Sequence, residues 1–182
     1  MKVYGLVGEK GSGKQTFVNF LKEIAPGLNI RQVRFSDILA QTLILWDIPL
    51  TRANLQNLSL VMNKTFGQKA LANAAKFSFE GDNADVIILD GIRRKPEFDL
   101  VKKLKGTVIY ITANQKLRYE RLKKRSEKVG ETGLTLEQFL EEENSKAESE
   151  ILKLSKKAEI KIENNKTKDE FKSSILKLWS LT

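Results

Sequence analysis

The chain has 182 residues, a formal net charge of +9, and neither cysteine nor histidine. Those absences exclude disulfides, Cys/His zinc sites, thiol nucleophiles and Ser-His-Asp chemistry, and leave proton transfer to carboxylates, lysine, tyrosine or water. No apolar run approaches the ~20 residues that cross a bilayer, and the first residues read directly as a strand, so a single soluble, cytoplasmic domain is expected.

The stretch Val3-Tyr4-Gly5-Leu6-Val7 is apolar and short, as in a buried strand. Gly8-Glu9-Lys10-Gly11-Ser12-Gly13-Lys14-Gln15-Thr16 follows it, and then Phe17, Phe20, Leu21 and Ile24 recur at helical spacing. Strand, glycine-rich loop, lysine and helix together make a phosphate cradle. Backbone N–H groups of the loop converge on an anion, and the helix N-terminus adds roughly half a positive charge. Gly8, Lys10, Gly11, Ser12, Gly13, Lys14, Gln15 and Thr16 are therefore assigned to a bound nucleotide, with Lys14 on its β/γ-phosphates. The usual pattern places a hydroxyl directly after the lysine to hold Mg²⁺. Here Gln15 takes that position and Thr16 comes one later, so a metal contact from Thr16 is expected to pass through water.

Pro26-Gly27 ends the first helix, and Ile30 to Phe35 alternates as a second strand. Ser36 or Asp37 is expected to cap the next helix; Asp37 alternatively faces the ligand crevice at the strand's C-terminal end. Residues 36–83 read as a helical insertion. Thr51 opens one helix, with Leu55, Leu58, Val61 and Met62 on one face, and Gly67 interrupts before the apolar run from Ala70 to Phe77. Arg52 sits in a first helical turn, where its charge opposes the helix dipole unless an anion is near.

Asp85 to Gly91 is a third strand, apolar enough for burial on both faces, and it ends in Asp90. An acid at that place polarises the water shell of Mg²⁺ or acts as base. Arg93 follows closely and can fork onto a phosphate, while Pro96 suits the first turn of a helix carrying Phe98, Val101 and Leu104. Thr107 to Thr112 is the fourth strand. In the helix after it Arg118, Arg121 and Arg125 share a face, and arginine at all three places favours phosphate recognition. Gly130 to Gly133 reads as a flexible break; Thr135-Leu136-Glu137-Gln138 is a capping box opening a long helix, whose acids Glu141-Glu142-Glu143 read as a solvated face, with an ion pair to the arginines as the alternative. The region 126–149 is expected to act as a lid. Ala158 to Ile162 is the fifth strand, Asn164-Asn165 turns the chain, and Thr167 to Glu170 caps a last helix bearing Phe171, Ile175, Leu178 and Trp179.

The basic charge is local. Residues 91–130 hold 13 Lys/Arg against 4 Asp/Glu, and the remainder carries 19 of each. Such a cluster suits nucleic acid, or an enzyme that clamps phosphorylated small molecules. Only Phe98, Tyr110 and Tyr119 lie among these basic residues, which weighs against a stacking platform for single strands.

On these residues the chain resembles the P-loop nucleoside monophosphate kinase superfamily, and among it the adenylate-kinase-related and dephospho-coenzyme A kinase-like proteins. Gly8 to Thr16 is similar to the family's phosphate loop, Asp90-Gly91-Ile92-Arg93 to its Asp-Gly-aromatic-Pro-Arg segment without the proline, and Arg121 to Arg125 to its R-L-x-x-R. Ile162-Glu163-Asn164-Asn165 is similar to the turn near the adenine in dephospho-coenzyme A kinases. The resemblance implies an α/β three-layer fold, with a five-stranded parallel sheet of order 2-3-1-4-5 flanked by helices. Its core would be residues 1–35, 84–125 and 150–182, with an acceptor-binding insertion at 36–83. It implies ATP and Mg²⁺ as cofactors and a small phosphorylated acceptor, in a monomer or homodimer. Catalytic roles fall to Lys14, Asp90, Arg93, Arg121 and Arg125, acceptor binding to Asp37, Arg52 and Arg93, and the adenine turn to Asn164 and Asn165. A nucleoside monophosphate is the first acceptor to consider, the ribose 3′-hydroxyl of dephospho-coenzyme A the second. A nucleotide-dependent nucleic-acid-binding module is the alternative from another class.

Overall fold

The computed structural model describes residues 1–124, 135–144 and 146–181. Five parallel strands, β1 (Lys2–Val7), β2 (Ile30–Arg34), β3 (Val86–Ile92), β4 (Thr107–Thr112) and β5 (Ile160–Glu163), form one sheet in the order β2-β3-β1-β4-β5. This is the expected order. β1 and β3 lie inside the sheet, and their residues Val3–Val7 and Val86–Asp90 are buried without a break. Continuous apolar runs are what strands covered on both faces require.

Alternate side chains of the strands feed two cores. Tyr4, Leu6, Ile88, Ile109 and Ile111 pack with Phe17, Val18 and Leu21 of α1 (Lys14–Ile24) and with Phe171, Ile175 and Leu178 of α9 (Lys168–Leu181). Val3, Val7, Ile87 and Leu89 pack on the opposite face. There they meet Phe98 and Val101 of α5 (Lys95–Lys103), Ile151 and Leu154 of α8 (Lys146–Ser155), and Leu71, Ala72 and Ala75 of α4 (Ala70–Phe77). The remaining described helices are α2 (Phe35–Leu45), α3 (Arg52–Phe66), α6 (Gln115–Lys123) and α7 (Leu136–Glu143).

Local signals hold at several ends. Thr51 Oγ1 accepts from Asn54 N at 3.1 Å, Pro96 lies in the first turn of α5, and the capping boxes at Thr135–Gln138 and Thr167–Glu170 form in both directions.

Two expectations are corrected. β2 runs straight into α2 with Arg34 at the N-cap, so neither Ser36 nor Asp37 caps; Asp37 lies in the first turn, where a negative charge favours the helix dipole. The helix expected from Thr51 is α3, and its apolar face has no fully buried residue: Leu55, Leu58 and Met62 are half-buried, and Val61 is 56% exposed. The long helix expected after Thr135 is two, α7 and α8, and α7 gives way to a turn at Asn144. Arg125 and the break at 130–133 lie outside the described residues.

The sheet also aims the site. The β1–β3 register shifts between Leu6 and Val7, so that Leu6 pairs with Asp90 and Val7 with Ile92. Such a bulge re-aims the chain at the strand end, beside the glycine-rich loop. Leu89 is fully buried in β3. Leu89→Ala is expected to cost about 2–5 kcal/mol of unfolding free energy, whereas Leu60→Ala, at a position 59% exposed, stays within about 0.5 kcal/mol. Urea denaturation of the two variants checks both values.

Candidate functional site

The loop Gly8–Gly13 joins β1 to α1 at the C-terminal edge of the sheet. Two of its glycines are required by geometry. Gly11 has φ +72°, and Gly13, at the N-cap of α1, has φ +105°. A Cβ on Gly13 would also lie 2.2 Å from Asn164 Nδ2. Left-handed glycines at a helix N-terminus are what an anion cradle requires.

Lys14 opens α1. Its Nζ donates to the carbonyls of Gly8 at 2.6 Å and Glu9 at 2.9 Å. Burial lowers its pKa from 10.5 to about 8, against the pull of Asp90, Glu148 and Glu9, while Arg93 lowers it further. The lysine thus holds its charge less firmly than a free lysine does, and a phosphate at the loop would raise its pKa again.

Asp90 is buried at the end of β3. Its Oδ2 accepts from Gln32 Nε2 at 2.8 Å and lies 3.6 Å from Arg34 Nε, both from β2. Its Oδ1 has no partner among the described residues. Gln15 belongs to the same network: its Oε1 accepts from Gln32 Nε2 at 3.1 Å and from Arg34, and its Nε2 donates to Asn19 Oδ1 at 2.8 Å. The amide standing where phosphate loops carry a hydroxyl is therefore occupied within the protein. Thr16, next to it, is half-buried. Among the described residues no group of three or more acids could hold a metal ion. The donor set fits a Mg²⁺ brought in by phosphates rather than one held by protein alone, and the open Oδ1 of Asp90 is the oxygen that could meet its water shell.

Arg93 follows Asp90 and points an Nη1 at Glu148 Oε1, 3.7 Å away. The turn carrying Arg93 is braced from below, since Glu97 Oε2 accepts from the backbone N–H of Arg93 at 2.7 Å and of Arg94 at 3.1 Å. Burial raises the pKa of that Glu97 carboxyl.

The acids of α7 form the alternative that the sequence left open, ion pairs to arginines, while Glu148 of α8 was not marked by the sequence. Glu142, read as part of a solvated face, bridges Lys10 Nζ at 2.7 Å and Arg52. Glu143 takes Arg118 Nη1 at 2.8 Å on its Oε1. Arg118 is buried, donates to Ala113 O at 2.9 Å and lies over the Phe139 ring, so it braces α6 against α7 rather than facing ligand. Glu148 of α8 is buried beside Arg93. Glu9, inside the loop, is buried and accepts from Tyr110 OH at 2.5 Å. Burial and that carboxylate push the Tyr110 pKa up to about 12. Lys10 amid glycines was the one signal that a carboxylate would come near the loop; nothing in the spacing marked Glu148, Gln32 or Arg34.

Arg121 and the two asparagines meet at the loop. Arg121 Nη2 donates to Asn164 O at 2.9 Å and Nη1 to Gly11 O at 3.4 Å. Asn164 is buried, and its Nδ2 donates to Ser12 O at 2.9 Å. Asn165 Oδ1 accepts from Asn114 N at 2.7 Å. Asp37 is exposed on α2, apart from these contacts, with Ser36 Oγ at 3.5 Å.

The family described as AAA domain matches residues 5–153. The chain belongs to this AAA-domain family. Relatives of similar length match over almost the whole chain. A UPF0200 protein of Methanococcus vannielii is 28% identical over 174 residues, 94% of this chain and 91% of the relative. A UPF0200 protein of Sulfurisphaera tokodaii is 27% identical over 175 residues, 95% and 93% of the two chains. In three dimensions the fold is shared with shikimate kinases. That from Bacteroides thetaiotaomicron has a TM-score of 0.63 at 13% identity, over 99% of this chain and 97% of its own. That from Acinetobacter baumannii, in complex with shikimate, has a TM-score of 0.57 at 17% identity, over 100% and 92%. The AAA-domain chain described here thus has a P-loop kinase fold, as its motifs imply.

The contact between Gly13 and Asn164 gives a direct test of the loop. Asn164→Ala should cost about 1–3 kcal/mol, because the Ser12 carbonyl loses its donor. Gly13→Ala should cost at least as much, from strain at φ +105° and the clash with Asn164. The double variant should cost less than the sum, since alanine at 164 removes the clashing amide. Unfolding free energies of the three variants measure the coupling.

Proposed function

We propose that this protein is an ATP-dependent phosphotransferase acting on a small acceptor. The observation that carries the reading is the surround of Lys14: an ammonium whose pKa burial lowers to about 8, at the end of the glycine-rich loop, among Asp90, Arg93, Glu9 and Glu148. A buried lysine so placed gains most from an anion carrying several charges.

In this reading the loop amides of Gly11 to Lys14 and the Lys14 ammonium hold the β- and γ-phosphates. Mg²⁺, when bound, would supply positive charge that offsets the charge developing on transfer. Asp90 would hold the metal's water shell through Oδ1, with Gln32 and Arg34 fixing its other oxygen. Arg121, and Arg125 if it faces the same way, would close on the phosphates; Arg93 and Arg52 would orient the acceptor. Asn164 supports the nucleotide through the loop it braces, with Asn165 beside it. The proposed place of action is the cytoplasm.

Two acceptor classes compete. A nucleoside monophosphate would bring a dianion to Arg93 and Arg52. Those arginines already face Glu148 and Glu142, so the carboxylates would have to withdraw. A hydroxyl acceptor, of which dephospho-coenzyme A is one, needs no such withdrawal, and the placement of Glu148 favours it.

The test is ATP consumption with Mg²⁺ across nucleosides, nucleoside monophosphates, dephospho-coenzyme A, sugars and hydroxy acids. An acceptor should stimulate consumption, and Lys14→Ala should lower kcat/KM by about 10²–10³-fold. Arg93→Ala should raise the KM of the acceptor more than that of ATP. No stimulation above the Lys14→Ala background contradicts a kinase. Steeply salt-sensitive RNA or DNA binding would instead favour a nucleic-acid-binding module.

A further inference from the structure

Glu148 is 5% exposed, yet its Oε2 has no hydrogen-bond partner among the described residues. Its other oxygen is 3.7 Å from Arg93, beyond hydrogen-bond reach. The charged groups that face it come from four places: Arg93 after β3, Glu143 of α7, Lys14 of α1 and Glu9 of the loop. A buried carboxylate oxygen left unmatched destabilises a fold, so its retention points to a group outside the chain. The carboxylate sits on α8, whose Ile151 and Leu154 are anchored in the core, and it cannot swing away as a lid residue could.

The position decides what that group is. In the reading above Lys14 holds the transferred phosphoryl and Arg93 orients the acceptor, and the Glu148 carboxylate feels both cations. An atom lying between the phosphoryl and Glu148 is the attacking atom of the acceptor. A phosphate oxygen there would be repelled by the carboxylate. A hydroxyl would donate to it. The other acids are less suited: Asp37 is exposed, and Asp90 is tied to Gln32 while its free oxygen serves the metal's water shell.

We propose that Glu148 is the general base of the transfer and that the acceptor's reacting group is a hydroxyl. This rests on the phosphotransferase reading above. The acceptor oxygen forms a bond to Pγ of ATP as the bond from Pγ to the β,γ-bridging oxygen breaks. The electron pair leaves with ADP, and the hydroxyl proton passes to Oε2 of Glu148. Burial raises the pKa of this carboxyl above its ordinary 4.5, towards the range where a base works best near neutral pH.

The experiment uses the full chain with Mg²⁺ and ATP, and scores the linkage in the product by phosphorus NMR, phosphoester against phosphoanhydride. Wild type should form a phosphoester with a hydroxyl acceptor. Glu148→Gln should lower kcat by about 10²–10⁴-fold with the KM for ATP within about threefold. The base must be ionised, so wild-type kcat/KM should rise with pH through a limb above 4.5; Glu148→Gln should lose that limb, and Glu148→Asp should recover part of the rate. Binding of the β,γ-imido analogue of ATP at wild-type strength or tighter shows that Glu148→Gln is folded. Phosphoanhydride products only, no product at all, or a Glu148→Gln enzyme that keeps rate and limb each overturn the proposal. The parent reading fails separately, and takes the proposal with it, if the analogue does not bind to wild type or binds equally to Lys14→Ala.

Discussion

A lysine ammonium enclosed at the start of a helix is the constraint on which the rest of this molecule depends. Lys14 has two carbonyls of its own loop at hydrogen-bond distance, and burial lowers its pKa to about 8. An enclosed charge must be matched nearby or it neutralises. The sheet order answers that demand. It sets β1 beside β3, so the loop that carries the lysine and the strand end that carries Asp90 emerge together. The bulge between Leu6 and Val7 then sends Arg93 out on the same edge. Helix α8 brings Glu148 up from the core on one sheet face, and Asn164 holds the loop from the other side.

Charge balance extends outward from that centre. Glu142 ties Lys10 of the loop to Arg52 of α3, Glu143 ties Arg118 to α7, and Glu148 faces Arg93. Two arginines of the basic window, Arg93 and Arg118, are thus answered by acids that lie later in the chain. The residue window alone, which suited nucleic acid or a clamped small phosphate alike, does not contain those partners. Pairs at half-exposed positions such as Arg52–Glu142 contribute little stability by themselves. Their consequence is positional, since each sets where a competing phosphate would have to enter.

Much of the fold was legible because its signals are local. The apolar runs of β1 and β3, the alternation in β5, the capping boxes at Thr135 and Thr167, and the proline of α5 each act within a few residues. The phosphate loop was legible for the same reason. The acidic side of the site was not, because Glu142 and Glu148 reach the loop only through tertiary packing and their sequence neighbours are ordinary helix surface. Arg118 shows the same limit in reverse. Its spacing suggested a phosphate reader, whereas Glu143 and the Phe139 ring enclose it. The N-cap expected at Ser36 or Asp37 failed because β2 passes into α2 with no intervening turn, an arrangement that capping preferences do not encode.

The central claim is that the loop lysine is poised to regain its charge from a bound polyphosphate. Calorimetry of ADP binding in buffers of different ionisation enthalpy reads this directly as proton uptake. With a free-state pKa of about 8, binding at pH 8 should take up about half a proton per nucleotide, more at pH 9 and little at pH 7, with the uptake lost in Lys14→Met. Binding with no proton uptake from pH 7 to 9, or uptake that persists in Lys14→Met, would contradict the account.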